Sequence, residues 1–374
     1  MTMSVMLICT SSAIGGMERL TCSLARGLTD EGLRVRTFFP DSGSSGELVR
    51  WAREQGVEVE THPDVLDGAA DHSWRSARRL TRLVREVDPD VIGVHYGDNF
   101  LSMWDAVGVR LAGWRRPFLV TIPHPTAWAD TSTRKRVMTT IGTRLTNAVV
   151  TIAEATRVIL RQAGVLNGRL HVIRCGVRAP ASLVDPAAAR RALGLSEGEF
   201  VVGALGRLVP HKGIDELIDA MDDDALRPAV LLVGGDGPHR AALEERAVRQ
   251  GVDARFLGYV PDEGTLFAAS DVFALPSRLE GFGLVYVEAA MYGVPSVAAR
   301  VGGVPDAVID GETGVLITAG DVDGLRRALV ELRTDPALRA RLGAAARHRA
   351  MTELTESAMA RRYAELYRTL VRRG

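Results

Sequence analysis

The chain has 374 residues, a length that suits two domains better than one. Its 46 Lys and Arg balance 46 Asp and Glu, and 46% hydrophobic with 25% charged residues is an ordinary globular composition. No net charge and no aromatic-and-basic module point to nucleic acid, and no run of about 18 apolar residues points to a membrane span.

Residues 5–9 form a short apolar run without a basic flank, so the pattern over 4–9 reads as a first strand rather than a signal peptide. Further strand patterns cover 34–39, 57–61, 91–95, 118–122, 148–152 and 170–173, with helix patterns between them at 18–28, 75–86 and 156–163. Residues 178–199 carry little information; alternation resumes with strands at 200–205, 229–233, 255–257, 272–275 and 296–299. Apolar strands interleaved with helices predict parallel sheets covered on both faces, hence two Rossmann-like domains joined near residue 178. Two helices, 337–349 and 353–371, end the chain, and Tyr363, Leu366, Tyr367 and Leu370 suit a packing face. The scattered Cys9, Cys22 and Cys175 lack metal spacing and point to a reducing cytoplasm.

The first loop with chemistry is Ser11 to Arg19, where Gly15-Gly16 lets backbone approach a ligand at a helix start. It is not Gly-x-Gly-x-x-Gly, so a nicotinamide enzyme, with Asp41 about 25 residues on, is a weak alternative. The first part of the chain is net basic, and Arg75, Arg78, Arg79, Arg82 and Arg85 crowd one helix. That patch suits an anionic acceptor or a membrane surface, though a plain solvated face explains it more simply. His124, between Pro123 and Pro125 just past a strand, and His95, at the previous strand end, are competing candidates for a ligand contact.

In the second part, Gly206-Arg207-Leu208-Val209-Pro210-His211-Lys212-Gly213 follows a strand and precedes a helix. Arg207 and Lys212 suit a diphosphate, the first as a fork and the second as a point charge; only Lys135 and Lys212 are lysines. Gly234 to Pro238 and Leu257-Gly258-Tyr259-Val260 are further strand-end turns. Ser277 to Ala289 then reads as strand end, glycine turn and helix start, an arrangement that binds anions. Gly281 and Gly283 are read as permitting positive φ, and Leu284, Val287, Ala290 and Met291 as one apolar face. Glu280 and Glu288 flank this anion site and suit hydroxyl groups. Asp88-Pro89-Asp90, Asp222 to Asp224 and Asp321-Val322-Asp323 sit away from the strand ends where a metal would serve, so no metal and no cofactor are expected.

Glu280-x7-Glu288, the Arg207–Lys212 loop and Gly15-Gly16-x-Glu18-Arg19 together resemble retaining glycosyltransferases of family 4. That resemblance implies the α/β GT-B architecture, two Rossmann-like doubly wound domains facing across a cleft. It implies an acceptor-binding domain over 1–177, a nucleotide-sugar-binding domain over 178–352, and a terminal helix over 353–374 crossing back to the first. It implies a donor site from Gly15, Gly16, Arg207, Lys212, Tyr259, Val260, Glu280, Phe282, Gly283, Leu284 and Glu288, with His124, Arg207, Lys212 and Glu280 in the catalytic roles. His124 and Glu280 would meet the transferred sugar, backbone at Phe282 to Leu284 the sugar or phosphate oxygens, and Glu288 the ribose. The implied reaction is metal-independent transfer from a UDP- or GDP-linked sugar to a small-molecule, glycan or lipid-linked acceptor. An epimerase of the same fold is the alternative. Arg174-Cys175-Gly176-Val177 departs from the family's Asn-Gly-Val. A cytoplasmic location is expected, at the inner membrane face if Arg75, Arg78, Arg79 and Arg82 meet lipid.

Overall fold

A computed structural model describes residues 2–11, 15–41, 45–65, 73–96, 103–113, 116–123, 133–165, 167–196, 198–260 and 262–373. The chain divides into two compact units, Met1–Arg178 with Thr355–Gly374, and Ala179–Leu354.

The first unit holds strands β1 (Ser4–Cys9), β2 (Arg34–Pro40), β3 (Glu60–His62), β4 (Val91–His95), β5 (Phe118–Ile122), β6 (Ala148–Thr151) and β7 (Leu170–Val172). They make one sheet in the order β3-β2-β1-β4-β5-β6-β7, every pair parallel. Helices α1 (Gly16–Asp30), α2 (Ser45–Glu54), α3 (Trp74–Val87), α4 (Met103–Ala112), α5 (Thr133–Leu145) and α6 (Glu154–Gln162) are the crossovers. Apart from Ser4 at the start of β1, strands β1, β4 and β5 are buried, so they read as largely apolar runs without alternation.

The second unit begins with helix α7 (Pro186–Ala192), capped by the Asp185 side chain accepting from the Ala188 N–H. Its strands are β8 (Phe200–Leu205), β9 (Ala229–Gly234), β10 (Asp253–Gly258), β11 (Val272–Leu275), β12 (Ser296–Ala299) and β13 (Gly314–Ile317). They form a parallel sheet in the order β10-β9-β8-β11-β12-β13. Helices α8 (Ile214–Met221), α9 (Arg240–Gln250), α10 (Glu263–Ala269), α11 (Leu284–Met291), α12 (Val304–Ala307), α13 (Val322–Thr334) and α14 (Pro336–Glu353) complete it. In each sheet the order reverses at one point, β1 beside β4 and β8 beside β11. The carboxyl ends of the strands at such a reversal leave a crevice open to a ligand.

Helix α15 (Glu356–Arg373) returns to the first unit and packs on α1. Its buried face is Ala360, Tyr363, Ala364, Tyr367 and Leu370. Leu366, expected on that face, is only partly buried because the two tyrosines occupy the sheet side. Tyr363 Oη lies 3.0 Å from Thr121 Oγ1, and Arg26 forks onto Glu356, with its Nε at 2.7 Å. The Asp pairs of the sequence have structural roles. Asp90 accepts from the Ser4 N–H and hydroxyl, Asp222 and Asp224 pair with Arg227, and Asp321 caps α13.

Candidate active site

The second unit's reversal point brings together the loop after β8 and the turn after β11. Leu208 anchors the first of these: it is fully buried, its N–H donates to the Asp236 carbonyl at 2.9 Å, and its carbonyl accepts from the His239 N–H at 3.1 Å. Arg207 beside it is exposed, and Pro210–Lys212 form a 3₁₀ turn. Gly213 closes that turn at φ +70. A Cβ there would stand 2.4 Å from the Pro276 carbonyl oxygen, so only glycine lets the two loops touch.

Strand β11 ends just before Pro276, and Ser277 is fully buried beneath the turn. Glu280 follows, its Oε2 accepting from Lys212 Nζ at 2.6 Å and from the Ser277 hydroxyl at 3.4 Å. Only 19% of the Lys212 and 14% of the Glu280 side chain is exposed, so the pair attracts more strongly than it would in bulk water. Gly283 stands in the left-handed region at φ +83 as the N-cap of α11, with the Tyr286 ring where a side chain would go. Tyr286 is buried and donates to the Leu275 carbonyl at 2.7 Å, which ties the helix start to the strand end; burial raises its phenol pKa well above 10. The first turn of α11 leaves backbone N–H groups without intrahelical partners at the positive end of the helix dipole. Burial, and then the neighbouring Lys212 charge, lowers the pKa of His211.

Two expectations change. Gly281 does not adopt positive φ; the turn reverses at Gly283 alone. The buried face of α11 is Tyr286, Val287, Ala289 and Met291, with Leu284 and Ala290 only partly covered, because Tyr286 takes the place next to the strand.

The structure therefore joins Lys212 to Glu280 directly and sets Phe282, Gly283 and Leu284 at the helix start. Glu288 sits on α11, partly buried. At the neighbouring strand ends, the Gly235 N–H donates to the Gly258 carbonyl at 2.6 Å; Tyr259 is 78% exposed and Val260 partly buried. Gly15 and Gly16 belong to the first unit, as N-cap and first residue of α1, with open space where a Gly16 side chain would stand. His124 lies outside the described residues. Its competitor His95 is fully buried, and burial lowers its pKa to about 3, so it is a neutral core residue.

Two site features escaped the sequence reading. Gly302, after β12, lies so close to Glu280 that a Cβ would stand 1.9 Å from the Glu280 carbonyl oxygen. The pair Gly302-Gly303 behind an apolar strand was the available signal. The second is Arg278, whose guanidinium bonds to Asp215, Glu216 and the Pro210 carbonyl. Among the described residues no group of three or more His, Cys, Asp or Glu is placed to hold a metal, and no helix is long and apolar enough to cross a membrane.

On α3, Arg75, Arg78, Arg79, Arg82 and Arg85 are all exposed. Arg78 stacks over Trp74 at 5.5 Å, Trp74 meets Trp104 edge to face, Arg82 pairs with Asp64 at 3.5 Å, and Arg85 donates to the Leu111 carbonyl.

Comparison with known proteins matches residues 186–349 to the family model "Glycosyl transferases group 1" and residues 14–179 to "Glycosyltransferase Family 4". A GDP-mannose-dependent alpha-(1-6)-phosphatidylinositol monomannoside mannosyltransferase of Mycolicibacterium smegmatis is 35% identical over 349 residues, 89% of each chain. A GDP-mannose-dependent monoacylated alpha-(1-6)-phosphatidylinositol monomannoside mannosyltransferase of Corynebacterium glutamicum is 30% identical over 316 residues, 80% of this chain and 78% of the relative. Anabaena HepE, solved in complex with UDP, superposes with a TM-score of 0.83 at 24% identity, over 98% of this chain and 100% of the other.

Proposed function

Because the chain belongs to glycosyltransferase family 4, with the GT-B fold, and is a hexosyltransferase that uses a nucleotide-sugar donor, we propose that it transfers with retention and without a metal. The observation that carries this is the Lys212–Glu280 pair at 2.6 Å beside the start of α11. In this reading the donor diphosphate lies against the N–H groups of Phe282 to Leu284. Lys212 turns from Glu280 to the phosphate, and Arg207 adds a second cation. Each such group stabilises the departing diphosphate by about 3 kcal/mol, or 10²–10³-fold in rate. Two cations and a helix dipole supply the charge that a divalent ion supplies elsewhere.

Glu280, once Lys212 has turned away, accepts hydrogen bonds from hydroxyls of the transferred sugar; Glu288 accepts from the ribose, and backbone at Tyr259 and Val260 lies along the base. Gly15 and Gly16 offer backbone to the donor phosphate from the first domain, and His124 contacts the sugar. The acceptor oxygen attacks the anomeric carbon on the face the phosphate leaves. One C–O bond forms as the other breaks, and the acceptor proton passes to a phosphate oxygen. Domain roles follow: the first unit binds acceptor, and the second binds donor.

The mannosyltransferases named above make GDP-mannose the first donor to test and a glycosylated phosphatidylinositol the first acceptor; their being named transferases favours transfer over epimerisation. A lipid-linked acceptor would be met at a membrane surface through Arg75, Arg78, Arg79 and Arg82, with Trp74 at the interface. The test is product analysis with GDP-mannose or UDP-glucose and lipid acceptors, with and without EDTA. An α-glycoside formed equally in EDTA is the expected result; a β-glycoside, or activity that metal restores, contradicts it.

A further inference from the structure

Arg278 is exposed at the edge of the site, yet its whole guanidinium is committed to one neighbour, the Lys212 loop and the helix that follows it. Nε donates to Glu216 Oε1 at 2.7 Å, Nη2 to Asp215 Oδ2 at 2.9 Å, and Nη1 to the Pro210 carbonyl at 2.5 Å. The Arg278 backbone N–H donates to the His211 carbonyl at 2.7 Å. Asp215 and Glu216 form the first turn of α8, immediately after Gly213; Pro210 and His211 belong to the 3₁₀ turn that ends in Lys212. The Glu216 side chain is only 10% exposed, unlike the partner in an ordinary surface ion pair.

We propose that Arg278 is a positioning residue for sugar transfer: it fastens the turn carrying Glu280 to the loop carrying Lys212 and so fixes the spacing of those two groups. This rests on the reading that Lys212 and Glu280 hold the donor. Besides the Lys212–Glu280 pair itself, the loops meet at the close approach of Gly213 to Pro276 and at the Arg278 N–H to His211 carbonyl bond, contacts that fix one point of the joint and leave its angle to the guanidinium. A planar fork with several donors, anchored at a carbonyl and two carboxylates, sets that angle. Lysine, a point charge on a flexible stem, cannot. A displacement of about 1 Å in such a site costs on the order of 10² in rate.

The chain's two lysines make the spacing directly observable, because ammonium resonances of lysine-labelled protein reduce to Lys135 and Lys212. Lys135→Arg assigns them, and Glu280→Gln identifies the ion-paired state of Lys212. Arg278→Ala and Arg278→Lys are expected to broaden or shift the Lys212 resonance toward its Glu280→Gln position. They are also expected to lower kcat about 10²-fold, with a native circular dichroism spectrum. Should Arg278→Ala fail to fold, Glu216→Gln keeps the arginine and loosens the same joint, with the same shift expected. An unchanged Lys212 resonance with wild-type kcat in folded Arg278→Ala or Glu216→Gln, or full rescue by Arg278→Lys, overturns the proposal. If the wild type transfers no sugar, the functional reading fails, and the resonance alone still decides the joint.

Discussion

The two sheets reverse at equivalent points, but the described strand ends there have opposite chemistry. Beyond β8 and β11 stand Lys212 and Glu280, paired, and an exposed Arg207. Beyond β1 and within β4 stand Thr10, 8% exposed, and His95, fully buried, with Tyr363 and Tyr367 of α15 also fully buried in the same unit. Topology supplies a crevice in both cases. Whether it becomes a site for a charged ligand or part of a core depends on which side chains the following residues bring. Where glycines hold side chains back, as at Gly213 and Gly283, backbone and ammonium group stay available. Where a terminal helix brings tyrosines, the polar groups become structural.

That contrast breaks most clearly at Lys212. Lys212→Ala should lower kcat/KM about 10³-fold, roughly 4 kcal/mol, while the circular dichroism spectrum stays native. Steady-state kinetics with a saturating acceptor checks this, and a loss below tenfold would remove Lys212 from the chemistry. The reverse is expected at Glu356. Its side chain, 10% exposed, pairs with Arg26, and Glu356→Ala leaves a largely buried cation with only the Gln55 carbonyl, at a cost of about 3 kcal/mol. Denaturant unfolding should register that loss, with turnover unchanged below the melting range.

His95 sharpens the comparison through pH. Burial holds the folded imidazole neutral with a pKa near 3, against about 6.5 in the unfolded chain. The unfolded state therefore takes up the proton first, and stability is lost as pH falls below 6.5, by about 2 kcal/mol at pH 5. His95→Phe should flatten that slope in unfolding curves between pH 7 and 5; an identical slope would show that His95 is not the group responsible. The smallest effect is expected at Tyr286→Phe, which removes the bond to the Leu275 carbonyl and costs about 1 kcal/mol in a melting curve.

Elements with strong patterns were legible. Strands β1, β4, β5, β8, β11 and β12 are short apolar runs bounded by breakers, and their limits agree residue for residue with the expected ones. The third strand was expected at 57–61 but is Glu60–His62, because the Val57 N–H is taken by the Ala52 carbonyl in closing α2. Strand β13 was missed: four residues beginning with glycine at a sheet edge carry little periodicity. Helix α7 was missed inside an alanine-rich stretch, although Asp185-Pro186 is a helix-start signal. In the site, the charged residues were legible because their chemistry is carried by residue type. Arg278 and Gly302 were not, since their parts depend on loops brought together across β8, β11 and β12.

The most direct test is binding of UDP, GDP, ADP and dTDP, each alone, to wild type and to Lys212→Ala, read as thermal stability. A nucleotide at 100 times its dissociation constant adds about 2.7 kcal/mol. The account predicts stabilisation by one nucleoside diphosphate, GDP first, that Lys212→Ala abolishes. Stabilisation by none of them, or one that survives the loss of Lys212 undiminished, would contradict a diphosphate site between the β8 loop and the start of α11.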